Sequence, residues 1–356
     1  MPRGNALAGL FFFAGTLKKT YNLTMSNYLT VKEIKSLKEG AIFETVVALK
    51  KKSVRATAKC PEFLNLELGD ATGTFSANVF GGKHFDIFKQ AEAGAYLFIK
   101  GKYGVYNDKF SPGFETIELV PAEEMSQFES RIVACSPENF DAMCAELSET
   151  IASIPDEQLR AVTQSVIDEL GDVYLNATAA MYMHQAYRHG LLEHSLHLAR
   201  VAKALLPQYP DVDPSLAIAG ALLHDVGKVL EYTQTEVTKK TRVGILQGHV
   251  VLGYRIVRKA CIKNHLPEDL QERLEHIVLS HQGKLEWGAA VLASTPEAIF
   301  ISQIDNFDAK MAMVSSALRG APADAEFSDP IKGLDGASLL LTPAFPSPEP
   351  PSDTLL

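Results

Sequence analysis

The chain has 356 residues, enough for two domains and too many for one ordinary core. With 46% hydrophobic and 22% charged residues its composition is globular, which excludes a wholly disordered chain. The net charge of −9 excludes a surface that is basic throughout, so any grip on nucleic acid has to be local.

Residues 1–28 read as a leader. Its apolar run, 6–17, follows Arg3 but is too short to span a membrane, and no A-x-A cleavage site comes after it. Met25 opens Met-Ser-Asn-Tyr-Leu-Thr directly before a regular domain. Translation is therefore expected to start at Met25, with the leader untranslated or disordered. Residues 29–122 read as β. Short runs of alternating, β-branched or aromatic character lie at 41–49, 63–68, 74–80, 95–101 and 116–120. Turn signals separate them: Gly69-Asp70 with Gly73, Gly81-Gly82, and Tyr106-Asn107-Asp108. A helical stretch, 83–90, falls between the third and fourth runs. Three strands, a helix and two strands is the order of the five-stranded OB-fold barrel, which binds oligonucleotides.

Residues 30–120 hold 13 Lys/Arg against 11 Asp/Glu, so the rest of the chain carries all the negative excess. Lys50, Lys51, Lys52 and Arg55 follow the first run, where a barrel has its binding rim, and are candidate phosphate contacts. Phe75, Tyr103, Tyr106 and Phe110 are candidate base-stacking aromatics, although strand aromatics more often fill a core.

Residues 123–135 are expected to be a linker. From 136 to 319 the pattern turns helical, with apolar residues at three- and four-residue spacing: Leu159, Val162, Val166, Ile167 and Leu170, then Leu191, Leu192, Leu196, Leu198 and Val201. Residues 320–356, with Pro343, Pro346, Pro348, Pro350 and Pro351, are expected to be a disordered tail. The fold class is thus multidomain, β plus all-α. Four scattered cysteines without a CxxC pair point to reduced thiols in a cytoplasmic protein, and no segment reaches membrane-spanning length.

The helical part carries the chemistry. His194, the pair His224-Asp225, His249, His281 and Asp305 each sit in an apolar helical stretch. Burying that many polar side chains without partners costs several kcal/mol, on the order of 2–7 for each group. A shared divalent metal satisfies them together, and imidazole with carboxylate suits Mn, Fe, Ni or Zn. On one helix, His224 and Asp225 point about 100° apart, so both reach one ion only at the seam of a bundle. Lys228, one turn beyond the pair, and Arg188 are candidates to meet a phosphate oxygen. His184, His189, His197 and His276 are more simply hydrogen-bonded helix residues.

This set resembles the H…HD…D signature of the HD phosphohydrolase superfamily. The stretch 184–194, then His-Asp-Val-Gly-Lys228, Gly-His249, Leu-Ser-His281-Gln-Gly and Ile-Asp305-Asn-Phe-Asp is similar to the YhaM-type 3′-to-5′ exoribonucleases, which place an OB-fold before the HD domain. The resemblance covers roughly 29–315. It implies an HD domain over 136–319 that hydrolyses single-stranded RNA, with DNA as a further substrate, to nucleoside 5′-monophosphates. It also implies a divalent metal, first manganese, and leaves a homo-oligomer open. The resemblance further implies metal ligands His194, His224, Asp225, His249, His281 and Asp305, with Asp225, Lys228 and Arg188 catalytic. The family usually has two histidines in Ser-His-His-Gly, and here the second is Gln282, which leaves the choice between one ion and two open. Two other readings compete. One is an HD hydrolase of free nucleotides or cyclic dinucleotides, which needs no OB domain. The other is a regulatory nucleic-acid-binding protein with a vestigial HD domain, which has no reason to keep the full ligand set.

Overall fold

The computed structural model describes residues 28–57, 60–107, 109–180, 187–233, 238–320 and 325–341. The leader up to residue 27, His184 and residues 342–356 lie outside them.

The N-terminal part is built on a five-stranded antiparallel sheet. A short helix, α1 (Val31–Lys35), precedes strands β1 (Ile42–Thr57), β2 (Cys60–Asp70) and β3 (Gly73–Val79). Helix α2 (Phe85–Gln90) and strands β4 (Tyr96–Lys102), β5 (Val105–Tyr106), β6 (Lys109–Phe110) and β7 (Gly113–Leu119) follow. The main sheet runs β3-β2-β1-β4-β7, and β5 and β6 form a small separate hairpin. Three strands, a helix and two strands is the expected OB order. In β3 the inward residues Phe75, Ala77 and Val79 alternate with exposed ones, the period of a strand with one buried face. Inward residues of all five strands, with Phe88 from α2, meet in a single core. Asp70, at the end of β2, accepts the Val31 N–H at 2.8 Å and docks α1 on the sheet.

Strand β1 is longer than its pattern predicts. Beyond Ala48 it leaves β4 and continues paired with β2 alone, through register breaks at Leu49/Lys51 and Arg55/Thr57. Lys50, Lys51, Lys52 and Arg55 therefore lie within a strand rather than in a loop after it. Three consecutive lysines erase the alternation that marks a strand, and pairing with 63–67 of β2 holds the backbone extended regardless.

The stretch expected as a linker is folded. A 3-10 helix (Ala122–Phe128) and α3 (Glu129–Ile132) lay Phe128 and Ile132 on Val46, Ala48 and Tyr96, the outer face of β1 and β4. Nine helices follow among the described residues: α4 (Phe140–Ala152), α5 (Glu157–Leu170), α6 (Asp172–Asn176), α7 (Gly190–Leu205), α8 (Pro214–Leu223), α9 (Lys228–Glu231), α10 (Arg242–Lys263), α11 (Glu268–Ser280) and α12 (Pro296–Gly320). Leu159, Val162, Val166 and Ile167 of α5 and Leu191, Leu192, Leu196 and Leu198 of α7 are buried, as their spacing predicts. Helix α8 is the axis of the bundle. Its N-cap Asp213 accepts the N–H groups of Ser215 and Leu216, with Pro214 in the first turn. Every residue from Ser215 to Leu223 is buried, so α8 has no polar face to show to water. It packs against α4, α5, α7, α11 and α12.

Part of the tail is structured. Residues 325–341 turn back on themselves through bridges Phe327–Leu340 and Ile331–Ala337, with Ser328 N–H donating to the Leu339 carbonyl at 2.8 Å. The polar composition conceals this because the pairing is by backbone groups, which carry no sequence signal. Cys135, Cys144 and Cys261 are free thiols. No helix among the described residues is long and apolar enough to cross a membrane.

Candidate metal centre

Two helices end at the site. His224 is the C-cap of α8 and His281 the C-cap of α11. Helix C-termini carry partial negative charge and favour a cation. The pair His224-Asp225 is therefore not on one helix face; Asp225 lies in the turn between α8 and α9. Helix α7 contributes His194, α12 contributes Asp305, and α10 contributes His249. A break in α10 falls immediately before His249, at Gly248 (φ 68°, ψ 161°), a conformation open essentially to glycine alone.

Asp225 is the hub. Its Oδ2 lies 3.5 Å from His194 Nε2 and 3.4 Å from His224 Nε2, while its Oδ1 lies 3.5 Å from His249 Nε2 and 3.4 Å from His281 Nε2. Asp305 Oδ1 joins the first pair, 3.2 Å from His194 Nε2 and 3.9 Å from His224 Nε2. Donors around one cation, each about 2.0–2.2 Å from it, stand about 3.0–3.5 Å apart. Two donor sets of that size share one carboxylate: His194, His224, Asp225 with Asp305, and Asp225, His249, His281.

The tautomers agree with this. Each ring places its Nδ1 on an oxygen: His194 on Asp308 at 2.8 Å, His224 on the Ala221 carbonyl at 3.0 Å, His249 on Glu231 at 2.6 Å, His281 on the Val278 carbonyl at 2.7 Å. With a proton at Nδ1, each ring in its neutral form turns an Nε2 lone pair toward Asp225. Nε2 atoms of His194 and His224 face each other at 3.2 Å, an arrangement that needs a shared proton or a cation between them. Asp225 is 2% exposed and its Oδ1 accepts no hydrogen bond among the described residues. These donors fit a divalent cation, and His249 and Asp305, less buried than the other ligands, open the site to solvent.

Burial by itself raises the pKa of Asp225, but Lys228 and His224 outweigh it and hold the carboxyl well below its usual range. Burial also opposes ionisation of Asp305, yet the hydrogen bond to His194 brings it to about 2. For His194, burial lowers the pKa, and Asp305 and Asp308 overcome it to raise the ring to about 9. Lys228 is buried and its Nζ sits 2.5 Å from Asp225 Oδ2, inside the site.

The other expected residues have partners of their own. The guanidinium of Arg188 is held by Glu129 of α3 at 2.5 Å, and its backbone brackets the Ala134–Ser136 segment. His189 bonds the Leu175 carbonyl, and His276 accepts from the Ser294 N–H. His197 pairs with Glu138 and reaches Asp308. On the sheet, Phe75 is buried and packs edge-on against Phe110, as Tyr103 packs against the same ring. Lys52 donates to the carbonyls of Lys89 and Ala91, capping the end of α2, and Lys50 reaches the Ile132 carbonyl. Lys51, Arg55 and Tyr106 are exposed.

Three further residues carry no signal in the local pattern. Asp308 and Glu231 orient His194 and His249; Asp308 stands three residues after Asp305, but nothing in the sequence ties either carboxylate to a histidine on another helix. Phe80, 61% exposed and stacked on Phe63 at 4.9 Å, is an aromatic that does face solvent.

The HD domain family model matches residues 191–310, which contain all six donor residues. Fold and site thus define an HD-domain protein behind a five-stranded antiparallel sheet. The chain is 30% identical over 310 residues to the 3′-5′ exoribonuclease YhaM of Listeria monocytogenes serotype 4b, covering 85% of this chain and 97% of that one. It is 30% identical over 315 residues to the protein of the same name from Halalkalibacterium halodurans, covering 88% and 96%. The chain belongs to the YhaM family of 3′-5′ exoribonucleases. A chain of a replication protein A heterotrimer bound to single-stranded DNA is similar over 28% of this chain and 84% of its own, at 13% identity and a TM-score of 0.23.

Proposed function

We propose that this protein is a metal-dependent 3′-to-5′ exoribonuclease that removes nucleoside 5′-monophosphates from single-stranded RNA, with manganese as its working ion. The observation that carries the reading is Asp225, buried, with each carboxylate oxygen facing two imidazole Nε2 atoms. Near-full-length similarity to exoribonucleases supplies the direction and the substrate.

His194, His224, Asp225 and Asp305 would hold a divalent cation, which would supply a Lewis acid for the phosphoryl oxygen and lower the pKa of a bound water. Asp225, at the hub of the donor set, is the group placed to orient or deprotonate the attacking water. Lys228 offers a buried ammonium to the charge that grows on the phosphoryl oxygens. Arg188, engaged by Glu129, serves instead to dock the segment after the sheet, residues 129–136, onto the helical part. Water attacks the phosphorus of the last phosphodiester and gives up a proton by way of Asp225 or solvent; the bond from phosphorus to the 3′-oxygen of the preceding nucleotide breaks, that oxygen takes up a proton to become the new 3′-hydroxyl, and a 5′-monophosphate departs. We assign the hydrolytic part to 136–319 and the RNA-holding part to 29–122, with Lys51, Arg55, Tyr106 and Phe80 as the exposed contacts.

The test is a 5′-labelled single-stranded RNA incubated with the protein and manganese. A ladder shortening from the 3′ end is expected, abolished by a chelator and restored by manganese. Asp225→Ala is expected to lose at least about a thousandfold in rate with its fold intact by circular dichroism. Full activity in excess chelator refutes the reading.

A further inference from the structure

The donor set of Asp225, His249 and His281 differs from its neighbour in one respect. The side-chain amide of Gln282 lies across it, with Nε2 3.1 Å from His249 Nε2 and 3.1 Å from His281 Nε2. Both rings spend their Nδ1 hydrogens elsewhere, on Glu231 and on the Val278 carbonyl. Their Nε2 atoms therefore offer lone pairs, and only the NH2 end of the amide can face both. One amide hydrogen goes to each ring.

The backbone beside the amide is tightly placed. Gln282 follows His281, the C-cap of α11, and Gly283 (φ 78°) turns the chain so tightly that a Cβ there would stand 2.6 Å from Ser302 Oγ of α12. In the other set, His194 Nε2 and His224 Nε2 face each other and two carboxylates.

We propose that Gln282 closes the second donor set by hydrogen-bonding both imidazole lone pairs. The protein then holds one divalent cation tightly, on His194, His224, Asp225 and Asp305, and takes a second only weakly. A cation on Asp225, His249 and His281 must strip two hydrogen bonds or turn the amide end for end. Losing two such bonds weakens binding by on the order of 10- to 100-fold. The inference rests on the metal-site reading above.

Full-length protein stripped of metal is titrated with manganese by calorimetry, and the loaded samples are examined by electron paramagnetic resonance. Wild type is expected to take one equivalent tightly, with any second step at least about tenfold weaker, and to show an isolated-ion spectrum. Gln282→Ala and Gln282→Glu, checked for folding by circular dichroism, are expected to take two equivalents and show the pattern of coupled ions. His249→Ala is expected to keep the tight equivalent, because that ion does not use His249. Two tight equivalents in wild type, one equivalent in both folded Gln282 variants, or loss of the tight ion in His249→Ala each overturns the proposal. No manganese bound by wild type at all defeats instead the metal-site reading on which it rests.

Discussion

Asp308 shows how much the chemistry of a single ligand depends on a residue outside the donor set. Its carboxylate takes the Nδ1 hydrogen of His194 at 2.8 Å and also reaches His197 at 3.4 Å. Burial opposes its ionisation, but the hydrogen bonds from His194 and His197 keep it charged far down the acid range. Asp308→Ala leaves the His194 ring free to turn and removes the acceptor that sets its tautomer. Manganese affinity is expected to fall by about 10–100-fold. Asp308→Asn keeps an oxygen acceptor and is expected to recover most of the loss. Calorimetric titration of both variants checks this. Equal affinity in wild type and Asp308→Ala would mean that His194 is positioned by packing alone.

Two element-scale junctions hold the ligands in register. Gly227, two residues after Asp225, lies against α10 so closely that a Cβ would stand 2.0 Å from the His249 carbonyl oxygen and 2.4 Å from the Gly253 nitrogen. Both are backbone atoms and cannot swing aside. Gly227→Ala must push α9 from α10, and with it Asp225 from His249. It is expected to cost on the order of 2–4 kcal/mol, read as a lowered Tm and denaturation midpoint. A variant as stable as wild type would show that this joint gives easily.

The second junction ties α4 to α7. Arg200 bonds Glu138 and Glu146 at 2.6–2.8 Å. Hydrogen bonds from Arg200 come first among the causes that bring the Glu138 carboxyl to about 2. A folded-state pKa below the unfolded one stabilises the fold above roughly pH 4.3, and that contribution drains away as pH falls toward 2. Tm is therefore expected to drop between pH 5 and 3, and Arg200→Ala to drop less over the same interval (each pH a rough choice around the Glu range). Parallel melting curves would show that the pair contributes no pH dependence. The groups are partly exposed, so salt should weaken the effect.

At the scale of the whole molecule, the sheet and the bundle meet through the 129–136 segment. Arg188 holds Glu129 and also pairs by backbone with Ala134 and Ser136. A chain starting near Ser136 loses the first two of these partners but none of the metal donors. It is expected to hydrolyse a small activated phosphodiester at close to the full-length rate. On long single-stranded RNA its KM is expected to rise, because the lost contacts bind substrate and transition state alike. Full-length binding should weaken as salt rises, and the truncated form should show a shallower slope. A folded truncation that degrades long RNA as well as the full chain does would remove the sheet from substrate binding. Free-nucleotide hydrolysis would then be the better account.

The sequence by itself determined the succession of strands along the chain, the helical half and a candidate donor set. Strand alternation and helical spacing are local, and a metal restricts its ligands to a few residue types, so His194, His224, Asp225, His249, His281 and Asp305 stood out from apolar surroundings. Only the tertiary structure decided what those groups touch. The full length of β1 depends on pairing with β2 across the hairpin, and the ordered part of the tail depends on backbone bonds. Lys52 is consumed by the carbonyls at the end of α2, and Phe75 by the core that the inward residues of the sheet form. Asp308 and Glu231 reach histidines on other helices, and Gln282 meets its two rings only because α10 and α11 converge. Each of these rests on contact between segments far apart in the chain, and local pattern carries no record of such contacts.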